Sequence, residues 1–203
     1  MEKLLTLLNS IAEIPPGLAE LLQANLQCRE FSKGDYILKE GEVCSNIYFL
    51  ESGLIRIFNR LSEKEVTSWF LMEGDIFISV SSFFRQQPSY ENIVALEDCV
   101  CWGISYEQLK NACLLYPAFN AHRIAITEIY YCRSEDRHYI KLRKPPDERY
   151  ADLVEEESEL LNRVPLQLLP SYLDVSRSAF TRIRNNYYYI KRKGISLKQK
   201  RPI

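Results

Sequence analysis

The segment Val164-Pro165-Leu166-Gln167-Leu168-Leu169-Pro170-Ser171-Tyr172-Leu173-Asp174-Val175-Ser176-Arg177-Ser178-Ala179-Phe180-Thr181-Arg182-Ile183-Arg184 reads as two short helices joined by a tight turn. Leu166, Leu169 and Leu173 fall at i, i+3, i+7, which makes one face of the first helix apolar. Asp174-Val175-Ser176 supplies the turn, and Ser176 is a good N-cap for the second helix. In that helix Phe180 and Ile183 share an inward face, while Arg177, Ser178, Thr181 and Arg182 lie together on the outward one. A short helix packed on one wall and carrying arginines and hydroxyls on the other suits the DNA major groove. The alternative is a helical hairpin with a solvated face.

Charge placement favours the first reading. The net charge of -1 hides a segregated chain. Residues 1–136 hold 11 Lys/Arg against 19 Asp/Glu, a balance of -8, and residues 137–203 hold 15 against 8, a balance of +7. From Arg163 onward there are 10 Lys/Arg and one acid, Asp174. A basic end on an acidic body is the footprint of a phosphate-binding module. The tail Lys191-Arg192-Lys193 and Lys198-Gln199-Lys200-Arg201, with Tyr187, Tyr188 and Tyr189 beside it, follows directly on the candidate recognition helix, which suits phosphate contacts. The DNA-contacting candidates are therefore Ser176, Arg177, Ser178, Thr181, Arg182, Arg184 and Lys191.

Upstream, the texture changes twice. Residues 3–26 read as short amphipathic helices broken at Pro15-Pro16-Gly17. From Arg29 to Ile104, short runs rich in β-branched and aromatic residues alternate with Gly34, Gly41, Gly53 and Gly74 at their junctions. Many short strands with glycine turns mean a small barrel or jelly-roll-like β-roll. A long helix from about Ala118 to Arg143 has neither Gly nor Pro inside it, and Pro145-Pro146 ends it. His122, Ile126, Ile129, Arg133, Asp136 and Ile140 repeat along it at 4-3-4-3-4, a heptad seam and candidate dimer interface. The competing reading is a helix packed on its own barrel.

Taken in this order, roll, long helix, hinge and helix pair resemble the Crp/Fnr superfamily of bacterial transcription regulators over nearly the whole chain. The resemblance implies an α+β fold: an N-terminal β-roll of cyclic-nucleotide-binding type with flanking helices (1–116), a dimerisation helix and hinge (117–144), and a small winged-helix or helix-turn-helix domain (145–203). It implies a homodimer on double-stranded DNA, with RNA polymerase as a further partner. Arg177 and Arg182 match the two arginines with which the family reads bases and phosphates, whereas Ser178 stands where well-known members carry a glutamate. Asp174 replaces the usual turn glycine, Pro170 falls inside the first helix and should kink it, and only Ile195-Ser196-Leu197 is left for a reduced wing.

The family's cyclic-nucleotide cassette needs an acidic residue after a glycine, and then an Arg-Ser pair. Gly74-Asp75 partly meets the first need, but the second position reads Pro88-Ser89-Tyr90-Glu91-Asn92, with no guanidinium for a phosphate and a carboxylate to repel it. Arg85 is the one substitute nearby. The candidate effector set is Gly74, Asp75, Arg85, Ser89 and Tyr90; cyclic AMP is not expected to be the effector, and another small molecule or an empty roll stays open.

Enzymatic readings find no support. The roll also resembles a cupin barrel, but the two histidines, His122 and His138, lie on the long helix, where they read as surface or seam residues. No P-loop, G-x-S-x-G or G-x-G-x-x-G occurs. The six cysteines show no metal-ligand spacing, and Cys99 and Cys101 alternate onto one strand face as core residues. No catalytic residue, metal or cofactor is expected. No apolar run is long enough to span a membrane and no signal peptide is apparent, so the expected location is cytoplasmic. The rival functional class is a ligand-binding or interaction module whose helix pair has lost specific DNA reading.

Overall fold

The computed structural model describes residues 1–62 and 64–194. The chain divides into two compact units, Met1–Tyr131 and Cys132 onward.

The first unit opens with helices α1 (Glu2–Ile11) and α2 (Pro16–Asn25), the latter started by Pro16, whose missing N–H costs nothing in a first turn. Eight strands come next: β1 (Gln27–Phe31), β2 (Tyr36–Leu38), β3 (Asn46–Ser52), β4 (Ile55–Leu61), β5 (Lys64–Leu71), β6 (Ile76–Phe77), β7 (Asn92–Ala95) and β8 (Cys99–Ser105). They pair antiparallel in two four-stranded sheets, ordered β1-β8-β3-β6 and β2-β7-β4-β5. A short helix, α3 (Val80–Arg85), interrupts the strands.

Alternation along β3 and β8 makes the first sheet two-faced. Leu50, Cys99 and Cys101 turn into the roll with Leu38, Ile55, Ile57, Phe77, Phe83 and Ile93. Phe49, Trp102 and Ile104 turn outward and are covered by α1, α2, helix α4 (Tyr106–Leu115) and the start of helix α5 (Phe119–Arg143). The Cys99–Cys101 pair is thus core packing, as its spacing suggests. Burial, with Cys99 and Cys28 nearby, pushes the Cys101 thiol up to about 12. Gly53 is obligatory at the β3–β4 turn: its φ is +109°, and a Cβ there would lie 2.7 Å from the Asp98 carbonyl.

The second unit contains the C-terminal half of α5, then α6 (Pro146–Glu156), α7 (Ser158–Arg163), a 3-10 turn (Leu166–Leu168), α8 (Leu169–Tyr172) and α9 (Arg177–Arg192). The long helix, set apart in sequence as 117–144, therefore contributes to both units. Tyr150 of α6 is 1% exposed and stands edge-on to Phe180 and Tyr187 at 5.6 and 5.5 Å. Leu160, Val164, Leu169, Leu173 and Ile190 are also buried.

Several local expectations change here. The stretch that reads as one kinked helix is a 3-10 turn followed by a single α turn. Pro170 lies in the first turn of α8, where no intrahelical donor is lost, so it does not kink a helix. Leu166 is exposed, whereas Leu169 and Leu173 are buried. Tyr187 belongs to the core rather than to a basic aromatic tail. The wing candidate Ile195-Ser196-Leu197 and the basic run Lys198 to Arg201 lie outside the described residues. Among the described residues no helix is long and apolar enough to cross a membrane, and no cluster of His, Cys, Asp and Glu could hold a metal.

Candidate nucleic-acid interface and sensor site

The turn between α8 and α9 is held by its backbone. Val175 N–H donates to the Pro170 carbonyl at 2.9 Å, and Leu173 N–H to the Leu169 carbonyl at the same distance. Asp174 takes φ +54°, the left-handed conformation that a short polar side chain tolerates best after glycine. Ser176 caps α9 by accepting from Ala179 N–H at 3.1 Å, so its hydroxyl is engaged in building the helix.

Beyond that cap, one wall of α9 packs through Phe180, Tyr187 and Ile190. Ser178, Thr181, Arg182, Asn185 and Tyr189 succeed one another along the opposite, exposed wall. Arg177 is exposed at the first turn. Thr181 Oγ1 donates back to the Arg177 carbonyl at 3.0 Å, and the side chain is exposed. Arg182 also lines an open groove of about 390 Å³ with Asp147, Val175, Ile183 and Asn186. Two candidates sit differently from the sequence expectation. Arg184 is half-buried on the packed side, where its charge acts on the Tyr150 phenol. Lys191 lies 5.7 Å from the Tyr187 ring, at the flank of the wall. Asn185 and Tyr189 join the wall because α9 runs well past Arg184, where the helix-pair pattern stops; the i, i+4, i+8 spacing of Thr181, Asn185 and Tyr189 is the signal that marks them.

In the roll, three of the candidate effector residues, Gly74, Asp75 and Ser89, are engaged in hydrogen bonds within the chain. Gly74 and Asp75 form the β5–β6 turn: Gly74 N–H donates to the Leu50 carbonyl, and the Asp75 carboxylate accepts from Met72 N–H at 3.0 Å and faces the Tyr130 hydroxyl of α5 at 3.4 Å. Ser89 is buried in a cluster that no spacing along the chain predicts. Its hydroxyl donates to the Ser79 Oγ at 2.9 Å, and Ser79 in turn donates to the Glu91 carboxylate at 2.8 Å. Burial pushes the Glu91 carboxyl above its usual range, partly offset by the Ser79 hydrogen bond. Arg85 and Tyr90 are exposed. The cavity inside the roll, lined by Leu38, Cys44, Asn46, Tyr48, Phe77 and Ile93 among others, measures about 40 Å³. That is room for water, against the roughly 300–1,000 Å³ of small-molecule pockets.

On α5, His122 lies in the core rather than in a seam, and Ile126 is half-buried against the same core. His122 is 1% exposed, with Nε2 3.0 Å from the Ala12 carbonyl and its ring against Phe119, and Ile126 packs on the same helical cluster. Arg133 is half-buried, while Ile129, Asp136 and Ile140 are exposed. The apolar side chains left open on the first unit include Ile124 and Tyr131 of α5 and Phe84 of α3. Phe84, Ile124 and Thr127 line one open groove.

Residues 28–116 match the cyclic nucleotide-binding domain family. No curated protein matches the chain by sequence. Among solved structures, a Crp/Fnr-family protein from Eubacterium rectale superposes with a TM-score of 0.71 at 19% identity, over 89% of this chain and 85% of that one. The c-di-GMP-responsive global regulator CLP of Xanthomonas campestris gives 0.69 at 16%, over 86% and 92%. FixK2 from Bradyrhizobium japonicum gives 0.67 at 18%, over 83% and 86%.

Proposed function

We propose, on the premise that residues 28–116 match the cyclic nucleotide-binding domain family and that the chain has the Crp/Fnr-type regulator fold, that this protein is a homodimeric, sequence-specific DNA-binding transcription regulator. The observation that carries the reading is α9: a capped helix with a packed wall and, opposite it, Ser178, Thr181, Arg182, Asn185 and Tyr189, in the basic half of the chain. We read α8, the Asp174 turn and α9 as a helix-turn-helix. The grounds for a decayed reader weaken, since Pro170 fits its turn and Asp174 holds the required conformation.

Dimerisation uses a second copy laid on α5. Because His122 and Ile126 face their own core, the seam runs instead through Ile124, Thr127 and Tyr131, with Phe84 beside it. Cyclic AMP and cyclic GMP are not effectors: the position expected to hold a phosphate is occupied by the Ser79–Ser89–Glu91 cluster, and a carboxylate repels that anion.

Selection from random duplexes should enrich a two-fold site. Against that site, Arg182→Ala should lose about 1–3 kcal/mol of discrimination at one position of each half-site. An unchanged ratio of matched to scrambled affinity would sink the assignment of α9 as reader.

A further inference from the structure

We propose that the second unit holds a binding site for a phosphate-bearing anion, formed by Arg137 and Lys141 of α5 and Arg149 of α6 beside Tyr172 of α8.

Arg133, Arg137 and Lys141 recur at i, i+4, i+8, so they share one side of α5. The Arg137 guanidinium stacks 3.8 Å above the Tyr172 ring and donates to the Tyr172 carbonyl at 3.2 Å, which fixes its plane. Arg149 is 9% exposed, and among the described residues its buried Nε–H has no acceptor. A guanidinium cannot shed its charge, so burying one without a counter-ion is costly. Its neighbours aggravate the problem: Arg149 acts repulsively on both Arg137 and Lys141. Burial first, then Arg137 and Arg149, push the Lys141 amine below its usual range, with Asp174 opposing.

Among the acids that face this group are Glu157, opposite Arg137 and Arg133, and Asp174, opposite Lys141. A buried guanidinium N–H without an acceptor, with further cations beside it, suits a phosphate, which carries roughly -1.5 to -2 at neutral pH and accepts the paired N–H groups of a guanidinium. The site borders Asp174, the residue that turns the chain into α9, so an occupant would act directly on the proposed reader.

The test titrates inorganic phosphate, then pyrophosphate, into the full-length protein by calorimetry, in chloride buffer at constant ionic strength and without DNA. One site per chain is expected, with a submillimolar Kd. Arg149→Met should weaken it about tenfold or more, while Arg149→Lys retains part of it. Phosphate should raise the thermal midpoint of the wild type but not of Arg149→Met. Lys141→Gln, at the half-exposed edge, provides the same comparison should the methionine variant fail to fold. A saturating duplex that removes the phosphate signal would identify the DNA backbone as the natural source. A signal that survives the duplex would identify a small phosphorylated molecule. A wild type that responds to phosphate no more than to chloride overturns the site, as does an Arg149→Met protein that binds equally well. Because the titration contains no DNA, its failure and that of the DNA-reading proposal are separate results.

Discussion

Glu91 has the most to answer for among single residues. Its carboxyl is pushed up by burial and kept in place by Ser79, so the folded roll holds the Glu91 proton more tightly than the unfolded chain does. Stability from this group is complete below the usual glutamate value and is lost as pH rises through the folded one. Glu91→Gln still accepts the Ser79 hydroxyl and carries no charge. Its thermal midpoint should match the wild type near pH 4 and exceed it by a few degrees at pH 7, where about 1 kcal/mol corresponds to roughly 2–4 °C. Parallel midpoint curves for the two proteins would show that Glu91 is not strained. The cysteines divide at the same scale. Cys28 and Cys132 are exposed, while Cys44, Cys99, Cys101 and Cys113 are buried. A thiol reagent should therefore label two cysteines quickly in the native protein and the other four only on unfolding.

At the scale of elements, α5 has two different sides. His122 and Ile126 lock it onto the helices that cover the first sheet, and the Tyr130 hydroxyl accepts from Ile76 N–H at 2.6 Å. That attachment leaves Ile124 and Tyr131 looking outward. Replacing both with Asp places four charges in a two-helix seam, at a cost of several kcal/mol. Sedimentation should show a wild-type dimer and a mutant monomer with unchanged helix content. A mutant that still dimerises would move the interface elsewhere. The heptad pattern itself is legible in the sequence, but it cannot say which residues belong to a partner. A helix that satisfies its own core through one stripe presents the same apolar period as a helix that satisfies a neighbour.

For the whole molecule the proposed DNA binding rests on the segregated charge. An acidic body repels DNA, and a basic end attracts it, so association should be oriented and strongly salt-dependent. Neutralising Lys191 and Arg192 should weaken matched and scrambled duplexes alike, and should flatten the salt dependence by about one unit per phosphate left without its cation. A deficit confined to the matched duplex would mean that these residues read bases. Arg182→Ala has the opposite signature, so the two variants together separate positioning from reading.

The amino-acid sequence determined the strand-rich roll, the long helix α5 and the start of α9, but not the short helices between them. The strand texture, the glycine turns, the Pro145-Pro146 break, the Ser176 cap and the charge asymmetry are local signals, and each acts through neighbours a few residues away. The Cys99–Cys101 alternation predicted a shared core face for the same reason. Tertiary structure alone decided the rest. Ser79 precedes α3, and Ser89 and Glu91 follow it; they meet only because the chain folds back across α3. His122 becomes a core residue because Ala12, 110 residues earlier, presents a carbonyl to it. Arg137, Lys141 and Arg149 look like ordinary surface cations until two helices bring them together. Hydrogen bonding and charge act over a few ångströms of space, and no spacing along the chain encodes which distant groups will come within that reach.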